Sequence, residues 1–190
     1  MRAFTLLLLA TGLSACDSSP KRLDPVPAAL QPRVEVAKTA AADLKKTLSG
    51  RLLSTVQQKG PKAGIDVCAD EARTMTQTVA QRHGVEIGRT SAKLRNPENA
   101  ARPWVDAYLR SVADKKVADV KPAVYDLGKR IGVVEPLGTQ ALCLNCHGAE
   151  SSLSGEVKEA LAARYPKDTA TGFAEGDVRG VLWVELPKEN

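Results

Sequence analysis

From about Val34 onward, apolar side chains recur every three or four positions, at Ala37, Ala41, Leu44, Leu48, Leu52 and Val56. That interval lays one stripe along an α-helix. "KGPK" at residues 59–62 ends it, because proline cannot continue a helix. Gly50 is a weak point inside the stripe. A second helix is predicted from about Lys62 to His83, with Ile65, Cys68, Ala72, Met75 and Val79 on one face and Gly84 suited to the position past its end. The two form an antiparallel pair joined at Gly60-Pro61. Downstream, "VEIGRT" reads as a short strand, "LRNPENAARP" as a turn-rich loop, and Pro103 to Ala113 as a helix turning Val105, Tyr108, Leu109 and Val112 inward. "AVYDLGKRIGVVEPL" reads as two strands around a glycine turn, "GEVKEALAARY" as a helix, and "VRGVLWVEL" as a last strand with Val178, Leu182, Val184 and Leu186 on one face. Helices leading into a small antiparallel sheet give the class α+β.

The N-terminus breaks from this pattern. Arg2, the apolar run "AFTLLLLATG" and then Leu13-Ser14-Ala15-Cys16 have the form of a bacterial lipoprotein signal, cut after a small residue and acylated on the cysteine. The run is too short to span a bilayer comfortably. Residues 1–15 are therefore expected to be a signal peptide and Cys16 the lipidated residue. The protein is expected in the periplasm, with Asp17 favouring retention of the anchor at the inner membrane. The stretch from Asp17 to Arg33 follows with four prolines and no sustained period, so residues 16–33 are expected to be a lipidated, flexible tether and residues 34–190 the domain.

Composition bounds the rest. A chain of 190 residues with 43% hydrophobic and 26% charged content has enough apolar material for one packed core. Its 27 Lys and Arg against 22 Asp and Glu leave a mild positive excess. The basic pairs Lys45-Lys46, Lys115-Lys116 and Lys129-Arg130 are scattered among acidic residues as solvated faces, so a nucleic-acid partner is not expected.

The chemistry concentrates in "ALCLNCHG", residues 141–148, in a chain with four cysteines and two histidines. With Cys16 consumed by acylation, Cys68, Cys143 and Cys146 remain. Three readings compete for the C-x-x-C-H spacing. A redox disulfide needs a thioredoxin-like βαβ context that the pattern lacks. Zinc would draw on Cys143, Cys146, His147 and Cys68, without the second closely spaced ligand pair usual for such sites. Covalent haem c fits best: two thiols reach the two vinyl groups on one porphyrin edge, and the next residue, His147, falls where it can bind iron. One covalent haem is thus expected on Cys143 and Cys146. For the far side of the iron the candidates are Cys68, Met75, His83 or none. His83 at a helix C-terminus suits an exposed capping role, and periodicity alone leaves Cys68 open between ligand and small buried filler.

"GIDVCADEA", "HGVEIGRTSAKLRNPENA", "ALCLNCHG" and "ARYPKDTATGFAEGDVRGVLWVEL" together resemble the c-type haem family with a PAS-like fold, first catalogued as a domain of unknown function. The resemblance runs from about Val34 to Leu186 and implies a PAS-like antiparallel sheet packed with long N-terminal helices. It implies His147 as one axial ligand and Cys68 as the other, with the family's Thr-Gly-Tyr represented here by Thr171-Gly172-Phe173.

Three functional classes follow: a redox or gas sensor, an electron-transfer lipoprotein, and an enzyme such as a peroxidase. Without an evident acid-base pair near the ligands, an enzyme is not expected. A sensor would hold Cys68 as thiolate on ferric iron, release it on reduction, bind CO or NO in its place, and move the Ile65–Val79 helix. No output module follows before Asn190, so the expected partner is a separate signalling protein or a redox partner protein.

Overall fold

The computed structural model describes residues 20–189. Helix α1 (Gln31–Asp66) is interrupted at Gly60, whose φ of 82° and ψ of 170° lie outside helical space, and Pro61 restarts the helix in a new direction. The chain then folds back along itself. Arg51 reaches Glu71 at 2.7 Å, and Asp43 accepts from Arg82 at 2.8 Å. The returning arm passes through a π-helical turn, Val67–Glu71, before α2 (Ala72–His83). Gly84 closes α2 in the left-handed conformation, as its position past the helix predicted.

The antiparallel sheet has five strands in the order β1 (Lys21–Arg22), β3 (Ala123–Asp126), β4 (Arg130–Gly138), β5 (Val178–Pro187), β2 (Glu86–Thr90). Gly128, at φ 81°, makes the β3–β4 turn, where its N–H donates to Asp126 Oδ1 at 2.8 Å. The helical hairpin covers one face of the sheet. There Val34, Ala37, Ala41 and Leu44 meet Ile87, Ile131, Val133, Leu182, Val184 and Leu186. Each fully buried Val, Leu or Ile contributes about 1.5–3 kcal/mol. Helix α3 (Pro103–Val112) covers the other face, with Trp104, Val105 and Tyr108 against Tyr125, Val134 and Val181. Glu185 on that face is buried but receives Trp104 Nε1 at 2.6 Å and Arg102 at 2.8 Å, so its carboxylate stays satisfied. Helix α5 (Gly155–Arg164), N-capped by the Ser154 side chain, packs Val157 and Leu161 on Ile65. The α+β class and the long N-terminal helical pair stand.

Two expectations change. The flexible tether was expected to run to residue 33, but Lys21–Arg22 adds an edge strand opposite Asp126 and Tyr125, and Leu23, Val26 and Leu30 pack against the core. Three isolated apolar residues suffice to dock a segment that has no period of its own. Residues 1–15 and Cys16 lie outside the described residues.

Strand β5 does not keep Val178, Leu182, Val184 and Leu186 on one face as its alternation predicted. Leu137 pairs with Gly180 and Gly138 with Val178, so Arg179 is an extra residue at a β-bulge. The bulge turns Val178 away from Leu182, Val184 and Leu186 and into the cluster under α3.

Candidate functional site

The C-x-x-C-H segment forms a short 3₁₀ turn at Ala141–Cys143 running into α4 (Leu144–His147). One helical turn separates Cys143 from Cys146, and His147 lies four residues beyond Cys143, so all three side chains share one side of the turn. All three cysteines of the described chain are free and partly buried. Gly148 ends α4 where a Cβ would press against the Leu144 carbonyl at 2.7 Å. The segment Thr171-Gly172-Phe173 is laced to the motif by Gly172 N–H donating to Gly148 O at 2.8 Å and Phe173 N–H donating to His147 O at 3.0 Å. The Phe173 ring meets the imidazole edge-on at 6.3 Å.

The partners of His147 fix its tautomer. Nδ1 is 2.7 Å from the Ala170 carbonyl, which can only accept, so Nδ1 carries the proton. Nε2 lies 3.4 Å from Arg95 Nη1, which can only donate, so Nε2 keeps its lone pair. Burial, together with Arg179 and Arg95, pushes the imidazole well below the ordinary histidine range and keeps it neutral. A neutral imidazole held through one nitrogen and offering the other is the form a metal centre takes.

Arg95 organises this corner. Its Nε donates to Asp168 Oδ2 at 2.8 Å, and its Nη2 donates to the Cys146 carbonyl at 2.6 Å and the Ala170 carbonyl at 3.2 Å. The pair is nearly enclosed, with side-chain exposures of 12% and 11%. Burial pushes the Cys146 thiol up, opposed by Arg95.

Cys68 lies in the π-helical turn and within electrostatic range of Cys146, Tyr165 and Arg179. Single π turns within α-helices recur at functional sites. This one is tied on both sides: Asp70 pairs with Arg164 of α5, and Glu71 takes both a 2.7 Å bond from Arg51 Nε and one from Nη2. Met75 is half-buried on α2. His83 is held by Asp43 Oδ2 at 2.9 Å at the far end of the hairpin. The structure thus brings Cys68, Cys143, Cys146 and His147 into one neighbourhood and gives His83 a partner in α1. Among the described residues no three His, Cys, Asp or Glu side chains converge as a metal-ion set.

Two more arginines enter this neighbourhood without having been singled out in the sequence. Arg89 shares the helix-facing side of β2 with Ile87, and Arg179 arrives from the β5 bulge. In the sequence Arg89 and Arg179 read as strand residues and Arg95 as a loop residue, while Asp168 lies in a segment that carries the family resemblance; none of the four was a candidate site residue.

The fold and the site define an α+β domain with a C-x-x-C-H turn set between a helical hairpin and the end of an antiparallel sheet. The chain belongs to the Tll0287-like family, whose model matches residues 18–187. Among solved structures it is similar to the crystal structure of the cyanobacterial heme-protein Tll0287, at 26% identity and a TM-score of 0.62, with 83% of this chain and 96% of that chain covered. Comparison with curated proteins gives no match. Membership of a c-type haem family, expected from the motifs, is borne out.

Proposed function

We propose that this chain carries one covalent haem c and acts as a redox or gas sensor tethered at the periplasmic side of the inner membrane. The observation that carries the haem is His147, neutral and proton-fixed at Nδ1 with the lone pair kept on Nε2, with Cys146 on its own short helix and Cys143 at the end of the 3₁₀ turn that leads into it. These residues fit the group. Cys143 and Cys146 would form the thioether links, each thiol adding its sulfur and hydrogen across one vinyl double bond. His147 and Cys68 would be the axial ligands. When bound, haem iron supplies one-electron chemistry and, at an open position, binding of CO or NO. In this reading His147 holds its orientation through Ala170, Arg95 holds the motif backbone, and Cys68 is the exchangeable ligand.

The sensory part of the reading is supported by the backbone around Cys68. A π turn differs from its α-helical neighbours by one residue of winding, so a change at Cys68 has a second helical state to feed into, and both Arg51 and Arg164 feel it. The PAS-like character of the sheet, the lipid anchor at Cys16 and a separate signalling or redox partner belong to the same proposal. No catalytic role is assigned.

Protein produced with a haem-attachment system is run on a denaturing gel and stained for haem peroxidase activity. Wild type is expected to keep its stain and Cys143→Ser/Cys146→Ser to lose it; unstained wild type refutes covalent attachment. Cys68→Ala is expected to change the ferric optical spectrum and raise the reduction potential, while His83→Ala leaves both unchanged. Ferrous wild type that refuses CO would turn the assignment to electron transfer.

A further inference from the structure

Among the described residues three guanidinium groups act on His147, those of Arg179, Arg95 and Arg89, and one of the three is paired with a carboxylate. Arg95 is neutralised by Asp168 at 2.8 Å. Arg89 and Arg179 have no carboxylate and no hydrogen-bond partner for their side chains among the described residues, and Arg179 Nε is buried. An unpaired buried charge is costly, and two close together repel.

The backbone is nevertheless shaped to put them there. The bulge at Arg179 inserts a residue that the β4–β5 ladder does not need. Gly180 follows because a Cβ at that position would run into the Thr90 carbonyl. Ser91 Oγ then donates to the Arg179 carbonyl at 2.6 Å, locking the end of β2, one turn of pleat beyond Arg89, against the bulge. Two cations from neighbouring strands are thus carried on a locked backbone, with no carboxylate to answer them among the described residues.

We propose that Arg89 and Arg179 form a receptor for two carboxylates, and that in the loaded protein these are the two propionate groups of the haem. The inference rests on the haem reading above. Two guanidinium groups against two propionates close the charge balance, and the planar fork of arginine suits a carboxylate in a way a lysine ammonium does not. Arg95 is a positioning residue for the motif and takes no part in this receptor.

The test uses the full, matured holoprotein with Arg89→Gln, Arg179→Gln and Arg179→Lys. Haem stain after denaturation is expected in wild type and all variants, because the thioethers do not depend on these arginines; an unstained wild type would bring down the haem reading instead of this one. Resonance Raman spectra read the propionates directly. Each Gln variant is expected to shift a propionate bending band towards its position in water. In mildly alkaline buffer, each is also expected to move the ferric-to-ferrous ratio about tenfold towards ferric, or ~59 mV for one electron, because a positive charge is lost beside the iron. Arg179→Lys should keep most of the potential while still altering the Raman band, since charge remains and the fork is gone. Adding inorganic phosphate to wild type should change neither signal. Unchanged Raman bands in both Gln variants overturn the proposal, as does a phosphate-dependent potential, which would make the pair a site for a free anion. Should Arg179→Gln fail to mature, Arg89→Gln and Arg179→Lys decide by the same two readouts.

Discussion

Replacing Arg95 with methionine removes a clamp as well as a charge. Four interactions go at once: the 2.8 Å bond to Asp168, those of 2.6 and 3.2 Å to the Cys146 and Ala170 carbonyls, and the 3.4 Å approach to His147 Nε2. Asp168 is left with the Ala170 N–H at 2.7 Å as its remaining donor. Removing one partner of a buried pair costs about 3–5 kcal/mol, mostly through the charge left behind. For a domain of this size each kcal/mol lowers the midpoint by about 2–4 °C, so Arg95→Met should unfold about 6–20 °C below wild type. Thermal unfolding followed by far-UV circular dichroism measures it. Asp168→Asn in the Arg95→Met background should restore part of the loss, with a coupling of about 0.5–3 kcal/mol. A midpoint within about 2 °C of wild type, or strict additivity, would show that the pair neither orders the motif nor carries buried charge, and the organising role given to Arg95 would fall.

Asp43 is held below the usual carboxylate range first by the His83 hydrogen bond and then by Arg82, so its contribution is present above its unfolded value and lost as pH falls through its lowered folded one. Asp43→Asn should therefore lower the melting midpoint at neutral pH, and the gap to wild type should close below about pH 4; a gap that persists there contradicts the linkage. Two glycines should respond with opposite signs. A Cβ on Gly132 would lie 2.6 Å from the Trp104 ring, so Gly132→Ala should cost about 1–3 kcal/mol in denaturant unfolding. Gly50→Ala, in a helix with nothing within 4 Å, should instead stabilise by about 0.5–1 kcal/mol.

What could be read from the sequence depended on how local its cause was. The helical hairpin was legible because its stripe repeats over many turns and Gly60-Pro61 can only break it. Cys143, Cys146 and His147 stood out because C-x-x-C-H is a fixed short spacing held within a single turn, so their meeting needs no long-range contact. The π turn at Val67–Glu71 left no trace: its ties are Arg51, 20 residues away from Glu71, and Arg164, 94 residues away from Asp70. Arg95 and Asp168 meet across 73 residues, each inside a loop where a lone charge signals nothing.

Arg179 shows why some of the site could not have been found by periodicity at all. Alternation reveals a bulge only when one face of a strand is apolar and the other polar, so that an extra residue visibly puts the pattern out of step. In β5 both faces are covered, one by the helical hairpin and one by α3, and Val178, Val181, Leu182 and Val184 are all buried. A strand apolar on both sides hides its own register. Val178 therefore read as a partner of Leu182, and the shift that carries it to the α3 side was invisible. The same shift brings Arg179 within electrostatic range of His147. In a strand so apolar two charges are out of keeping: Glu185, which Trp104 and Arg102 meet, and Arg179, which no carboxylate meets among the described residues.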